Sequence, residues 1–100
     1  METLITSEIL EEFKERMHFT HNSEDGNLTR LLSFSYTRIQ TSCGPFDISS
    51  NQSGKELVFE RTRYAYNDAV EFFEDNFITE INALALSLLP YEDGDTYEKV

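Results

Sequence analysis

Apolar side chains recur at three- and four-residue steps over most of this chain, which is the spacing of one face of an α-helix. Four segments carry the pattern, and they predict helices over residues 7–18, 24–43, 54–75 and 77–89. No segment shows the regular alternation of apolar and polar residues that a half-buried strand requires. The sequence therefore predicts an all-α fold, a small bundle of about four helices with one long central helix.

The long central helix is the third segment, and we expect it to span about twenty residues and roughly 30 Å, at 1.5 Å per residue. Ser53 is expected to be its N-cap, with Glu56 three residues later at the spacing of a capping box. If the helix bends or breaks, the Asp75-Asn76 pair is the expected place. Its apolar stripe consists of Val58, Ala65, Ala69, Phe72, Phe73 and Phe77.

The chain is strongly acidic. Nineteen Asp and Glu residues against eight Lys and Arg give a net charge of −11, and from Tyr64 onward nine acids and one base leave a net charge of −8. Free nucleic acid is therefore a disfavoured ligand, because phosphate binding needs a basic patch. An acidic surface favours a basic protein partner instead.

Few residues carry candidate chemistry. His18 and His21 are three residues apart and could share one metal ion, but a connector with two exposed histidines is far commoner. Cys43 is the only cysteine, so we expect no internal disulfide and no cysteine-based metal site, and a packed thiol instead. The acidic residues at 71–75 lie among charges typical of a solvated face. We therefore predict no catalytic residue, no metal, no cofactor and no enzymatic activity.

The sequence divides into a helical part and a polar end. After Pro90 it reads YEDGDTYEKV, with four acids and no periodic apolar stripe. We therefore predict a helical domain over residues 1–90 and a flexible acidic tail over residues 91–100. No apolar run reaches the roughly 18 residues that a membrane span needs, so no membrane association is expected.

The order and spacing of these segments resemble the small head–tail connector proteins of tailed bacteriophages, which are also called head-completion or adaptor proteins. The resemblance covers roughly residues 4–91. Its pieces are the opening helix SEILEEFKERM, the acidic start SEDGNLTRLL of the second helix, the Cys-Gly step that ends it, the segment YAYNDAVEFFEDN, and the closing LLPY. Members of the family often carry a basic residue after the closing tyrosine, whereas Glu92 and Asp93 follow it here.

The resemblance implies a structural virion protein at the head–tail interface, assembled in the host cytoplasm. Such a protein docks as a ring beneath the portal, extends the DNA channel and provides the surface to which the tail attaches. Its expected partners are the portal protein, neighbouring copies of itself and the next tail-side connector or stopper protein. DNA would pass through the ring without specific binding, past an acidic lumen that repels the phosphate backbone.

Two sets of residues are candidate sites. The long helix is aromatic on more than one face, so it either sits inside a bundle or meets another subunit, and both interpretations stay open. The candidate partner-binding residues are Phe59, Tyr64, Tyr66, Phe73, Phe77, Tyr91 and Tyr97. The candidate channel-facing acids are Asp68, Glu71, Glu74 and Asp75.

A second hypothesis comes from another class of protein. A net charge of −11 on a small helical domain also fits an acidic regulatory protein, such as a DNA mimic that binds a basic host protein. The two hypotheses differ in partner and stoichiometry. A mimic would bind a basic protein as a monomer or dimer, whereas a connector would bind a portal ring in many copies.

Overall fold

The structure, a computed structural model, describes residues 5–89, and every regular element in that range is helical. The elements are α1 (Ser7–Met17), α2 (Asp25–Cys43), α3 (Gln52–Tyr66), a 3₁₀ turn (Val70–Phe72), α4 (Phe73–Asn76) and α5 (Ile78–Ser87). The predicted all-α class is confirmed for these residues. The predicted number of helices is slightly low, since the described range holds five α-helices. The predicted tail, residues 91–100, lies outside the described residues.

Helices α2 and α3 form the centre of the bundle, and α5 packs against both of them. The core contains the residues that the helical period placed on the inner faces of α1 and α2, including Phe13, Leu28 and Leu32, which are almost fully buried. Helix α1 lies beside α2 and is tied to α3 by ion pairs. Lys55 Nζ lies 2.8 Å from Glu12 Oε1, for example.

The first two helices are joined through a buried cation. The Lys14 side chain is 4% exposed, and its Nζ donates to Asn22 Oδ1 at 2.6 Å and to Asp25 Oδ1 at 2.8 Å. A buried charge is tolerated when it is paired and hydrogen-bonded, so the hydrogen bonds of Lys14 fix the connection between α1 and α2.

Helix α1 begins at the Thr6 N-cap, whose hydroxyl accepts a hydrogen bond from the Ile9 N–H.

Two hydrogen bonds of a tyrosine hydroxyl hold the loop between α2 and α3 against the core. The Tyr36 hydroxyl donates to the Phe46 carbonyl at 2.6 Å and accepts from the Ile48 N–H at 3.1 Å. Both loop residues are buried, so the loop has an apolar underside. The Phe46 ring lies directly on the backbone of Gly54, where an added Cβ would come within 2.3 Å of the ring.

The predicted N-cap of α3 is wrong. Asn51 is the N-cap, since its Oδ1 accepts from the Gly54 N–H at 2.8 Å, and Ser53 lies inside the helix. Glu56 does not reach back to the helix start, because its carboxylate binds Arg16 of α1 at 2.6 Å. The tertiary ion pair thus replaces the local capping box.

The predicted long central helix is also wrong. Helix α3 ends at Tyr66, where Asp68 adopts a left-handed conformation with φ 58°. The Ala69 N–H then donates to the Tyr64 carbonyl at 2.8 Å and the Asp68 N–H to the Ala65 carbonyl at 3.1 Å. These two bonds form a Schellman motif, which satisfies the last carbonyls of a helix. The chain turns at Asp68, seven residues before the expected bend at Asp75-Asn76.

Aromatic packing accounts for the turn. Beyond it, the rings of Phe73 and Phe77 stack 4.9 Å apart, and both make edge contacts with the Tyr64 ring at 5.8 and 5.7 Å. Phe73 is 1% exposed, whereas its neighbour Phe72 is 57% exposed. Burying these rings against α3 requires the chain to fold back, because a continuous helix would carry residue 77 about 16 Å along the axis from residue 66.

Candidate interaction surfaces

A groove of about 490 Å³ runs between α3 and α5. Its floor is apolar and is formed by the buried Leu57 and Leu84 and the half-buried Phe77, with the exposed Ala83 at its edge. Three glutamates lie along its rim: Glu56 and Glu60 on α3, and Glu80 on α5. Ser53 and Ser87 lie at one end of the groove. An apolar floor with a charged rim is the usual build of a binding site, in which burial supplies affinity and the polar groups fix orientation.

The rim remains negative despite two nearby arginines. Arg16 Nη2 lies 2.6 Å from Glu56 Oε2, and Arg16 Nη1 lies 3.5 Å from Glu60 Oε2. Arg63 Nη2 lies 2.6 Å from the other oxygen of Glu60. The hydrogen bond from Arg16 lowers the pKa of Glu56 and raises that of Arg16 itself. Within residues 5–89, Glu80 has no ion-pair partner, so the α5 side carries an uncompensated charge.

Helix α5 also presents apolar side chains to solvent. Ile78 and Leu86 are 50% and 69% exposed and lie two turns apart with Asn82 between them, on the side of the helix away from the groove. Leu89 follows at 63% exposed. Phe72 is exposed as well, at 57%, so four large apolar side chains of residues 72–89 remain in contact with solvent.

The outer side of α2 has the opposite charge. Arg30, Phe34 and Arg38 are spaced four residues apart, so they align along one side of the helix, and all three are exposed. The Phe34 side chain is 60% exposed although it sits in the middle of a long helix. We call these three residues the basic face.

The candidate channel-facing acids lie on the surface, and two of them lie beside this face. Asp68, Glu71, Glu74 and Asp75 are all exposed. Glu71 and Glu74 line a shallow hollow of about 300 Å³ that also contains Arg38 and Arg61. Arg38 Nη2 lies 3.2 Å from Glu74 Oε2, and both side chains are about half exposed. Arg61 donates to Ser35 Oγ at 3.2 Å, and burial, followed by the like charge of Arg38, lowers the pKa of its guanidinium.

The candidate partner-binding aromatics divide into three groups. Phe59 and Phe73 are buried in the core, at 2% and 1% exposed, and present no surface to a partner. Tyr64, Tyr66 and Phe77 are half-buried and pack against that core. The Tyr66 hydroxyl donates to Glu24 Oε2 at 2.8 Å, and this bond raises the pKa of Tyr66. Tyr91 and Tyr97 lie outside the described residues.

The apolar pattern of the sequence did not single out the large apolar side chains that are exposed in the structure. Phe34 lies opposite the stripe formed by Leu28, Leu32 and Ile39, and a helical projection of α2 alone would have separated it from them. The exposed apolar residues of α5 carry a weaker signal, because that helix is apolar on most sides. The groove has no sequence signal at all, since it depends on how α3 and α5 lie side by side.

The residues considered for metal binding and nucleophilic chemistry lie apart from one another. Within residues 5–89 no group of three or more His, Cys, Asp and Glu side chains is placed to hold a metal ion. His18 is the left-handed C-cap residue of α1, and His21 Nδ1 is 2.9 Å from the Ser23 hydroxyl. The buried Cys43 thiol donates to the Ile81 carbonyl, and burial raises its pKa, which disfavours the reactive thiolate.

No protein-family model, no curated protein and no solved structure matches this chain. Among residues 5–89, none of the helices is long and apolar enough to span a membrane. The surfaces described above are therefore the observations from which a function can be argued.

Proposed function

We propose that this chain is a structural subunit of the head–tail connector of a tailed bacteriophage. It docks beneath the portal beside other copies of itself, at the head–tail interface of the virion. There it extends the DNA channel and offers a surface to the next tail-side protein. The order and spacing of its helical segments support this proposal through their resemblance to that family, and the all-helical fold agrees with it.

The observation that carries the proposal is the composition of residues 68–89. This segment contains five acids and no Lys or Arg: Asp68, Glu71, Glu74, Asp75 and Glu80. It also holds four of the large apolar side chains that remain exposed: Phe72, Ile78, Leu86 and Leu89. A connector needs both properties, because exposed apolar side chains bind neighbouring subunits while carboxylates repel DNA.

The repulsion acts only at short range. In about 0.1 M salt the field of a surface charge is screened over roughly 10 Å. Acids that keep DNA from adhering must therefore lie on the channel wall itself. Glu71 and Asp75 are the strongest candidates, since both are exposed and neither is held in an ion pair within the described residues.

The direct test uses the portal protein encoded in the same genome as this chain. Portal rings and the chain are mixed and followed by sedimentation velocity and mass photometry. We expect comigration with many copies of the chain on each ring. A chain that stays monomeric beside that portal, or a genome that encodes no portal, would contradict the proposal. In that case binding to a basic DNA-binding protein would be the hypothesis to test next.

A charge-reversal pair tests the channel role. Replacing Glu71 and Asp75 together by lysine is expected to make the assembled complex retain DNA at low salt. The matched control replaces Glu8 and Glu15, which are exposed on α1 and form no ion pair within the described residues, by lysine and changes the net charge by the same amount. Equal DNA retention by both variants would show that net charge, and not the channel wall, is responsible.

A further inference from the structure

The basic face and the α3–α5 groove have complementary chemistry. The basic face presents one exposed aromatic ring, Phe34, with a cation one turn before it and another one turn after it. The groove presents an apolar floor between glutamates. We propose that the basic face of one copy of this chain docks in the α3–α5 groove of a second copy, with the Phe34 ring on the groove floor.

The dimensions of the two surfaces agree. Arg30 and Arg38 are eight residues apart, so they are about 12 Å apart along α2, with Phe34 midway. Glu56 and Glu60 are one turn, about 6 Å, apart on one wall of the groove, and Glu80 stands on the other wall. A ring seated between the walls places the two arginines beside the rim, where Glu80 is unpaired within residues 5–89 and Glu56 and Glu60 would share their carboxylates with Arg16 and Arg63.

Three of the five charged groups in the contact are available on the surface, whereas Glu56 and Glu60 already pair with Arg16 and Arg63. Among the described residues, the Arg30 side chain makes one hydrogen bond, at 3.1 Å to Asn27 Oδ1. The pair between Arg38 and Glu74 is about half exposed, and exposed ion pairs are weak and easily exchanged. Glu80 has no cation within residues 5–89. The aromatic anchor supplies most of the affinity in such contacts, while the rim charges set the orientation.

The contact has a consequence for assembly. Its two halves are different parts of the chain, so each bound pair still has one free basic face and one free groove. Such a head-to-tail contact propagates, and it closes into a ring if the rotation between copies allows it. The inference rests on the self-association in the proposed function and names the two faces through which the copies meet.

Complementary variants test the inference. Phe34→Arg removes the anchor and leaves the groove intact, whereas Ala83→Arg fills the groove and leaves the basic face intact. Both positions are exposed, so both variants should fold, which circular dichroism checks. We expect wild-type protein to associate with increasing concentration in sedimentation velocity, and each variant alone to associate at least tenfold more weakly. An equimolar mixture of the two variants should form heterodimers and nothing larger.

A neighbouring substitution controls for charge. Asn82→Arg adds the same charge on α5, one residue away and on the side facing away from the groove, and should associate like wild type. In the mixture, isotope-labelled Phe34→Arg protein should show NMR shift changes at Leu57, Phe77 and Leu84 when unlabelled Ala83→Arg protein is added. These measurements extend to about 1 mM, because small interfaces often bind weakly.

Three outcomes would overturn the inference: wild-type protein that remains monomeric at about 1 mM, variants that associate as strongly as wild type, or a mixture that forms no heterodimer. Failure here is distinguishable from failure of the proposed function. If the portal still binds many copies of the chain, the connector role stands and the copies meet through other faces. If heterodimers form but the portal is not bound, the contact stands and the connector role fails.

Discussion

Two substitutions at Asp68 distinguish a helix that ends at Tyr66 from one that continues through residue 68. In the structure Asp68 has φ 58°, so the position is left-handed. We expect Asp68→Gly to be more stable than Asp68→Ala by about 1 kcal/mol. If α3 continued as one long helix, the order would be reversed, because alanine is favoured over glycine by about 1 kcal/mol inside a helix.

The expected difference in stability between Asp68→Gly and Asp68→Ala follows from two opposing terms. A left-handed conformation costs a residue with a Cβ about 1–2 kcal/mol, and glycine avoids this cost. Glycine loses about 0.5–1 kcal/mol through the greater freedom of its unfolded chain. The difference leaves glycine ahead by roughly 0–1.5 kcal/mol, with a central value just under about 1 kcal/mol. Both substitutions remove the same exposed carboxylate, so changes in net charge cancel in the comparison.

The assay is urea unfolding followed by far-UV circular dichroism. With a slope of about 1–3 kcal/mol per molar urea, a difference of 1 kcal/mol moves the midpoint by roughly 0.3–1 M. Asp75 is the internal control, because it is exposed and lies within α4, so alanine should be more stable than glycine there. An Asp68→Ala variant at least as stable as Asp68→Gly would refute the chain reversal after Tyr66.

Three further predictions concern the start of α3 and its ion pair. Gly54→Ala should destabilise the protein by about 1–3 kcal/mol, because the added methyl group overpacks against the loop. Gly26→Ala is the control, since nothing lies within 4 Å of the added Cβ, and it should be neutral or stabilising. Thermal unfolding measures both changes in stability. Asn51→Ala should cost about 1 kcal/mol in urea unfolding, and Ser53→Ala much less. Because the pKa of Glu56 is lowered in the folded state, its stabilisation is present above the ordinary value of 4.5 and is lost as the pH falls through the lowered value. Glu56→Gln should therefore be less stable than wild type at neutral pH, by under about 1 kcal/mol for so exposed a pair, and the difference should vanish in acid.

Each of these predictions has a result that contradicts it. Equal gains in stability at both glycines would mean that the loop yields to the added methyl group. A larger loss at Ser53 than at Asn51 would restore the capping box expected from the sequence. A difference between wild type and the Glu56 variant that is constant from neutral to acidic pH would show that the ion pair with Arg16 does not stabilise the folded chain.

The sequence predicted the first two helices and the last one to within about two residues of their observed ends. These segments have an apolar stripe with helical spacing, and helix formation depends mainly on local hydrogen bonds and on one buried face. The acids at 71–75 were also expected among charges on a solvated face, and all three are exposed. Charged side chains stay in water unless they are paired, so composition alone is informative there.

The sequence could not predict the course of the chain between α3 and α5. The apolar residues on both sides of Asp68 happen to keep a helical spacing, so periodicity alone favours one continuous helix. For the same reason Phe59, which falls outside the expected stripe, is buried, while Phe72, which falls inside it, is exposed. Periodicity shows which residues are apolar, but it does not show which of them pack against residues far away in the chain.

The sequence by itself thus determined the all-α class, the acidic surface and most of the helices, because each of these depends on neighbouring residues or on composition. Only the tertiary structure decided where α3 begins and ends. Glu56 pairs with Arg16 of α1 instead of capping its own helix, and the rings of Phe73 and Phe77 pack against Tyr64 on α3. The α3–α5 groove exists only because the chain reverses after Tyr66, since it requires α5 to run back along α3. Contacts between residues far apart in the chain fix that arrangement, and no local pattern encodes them.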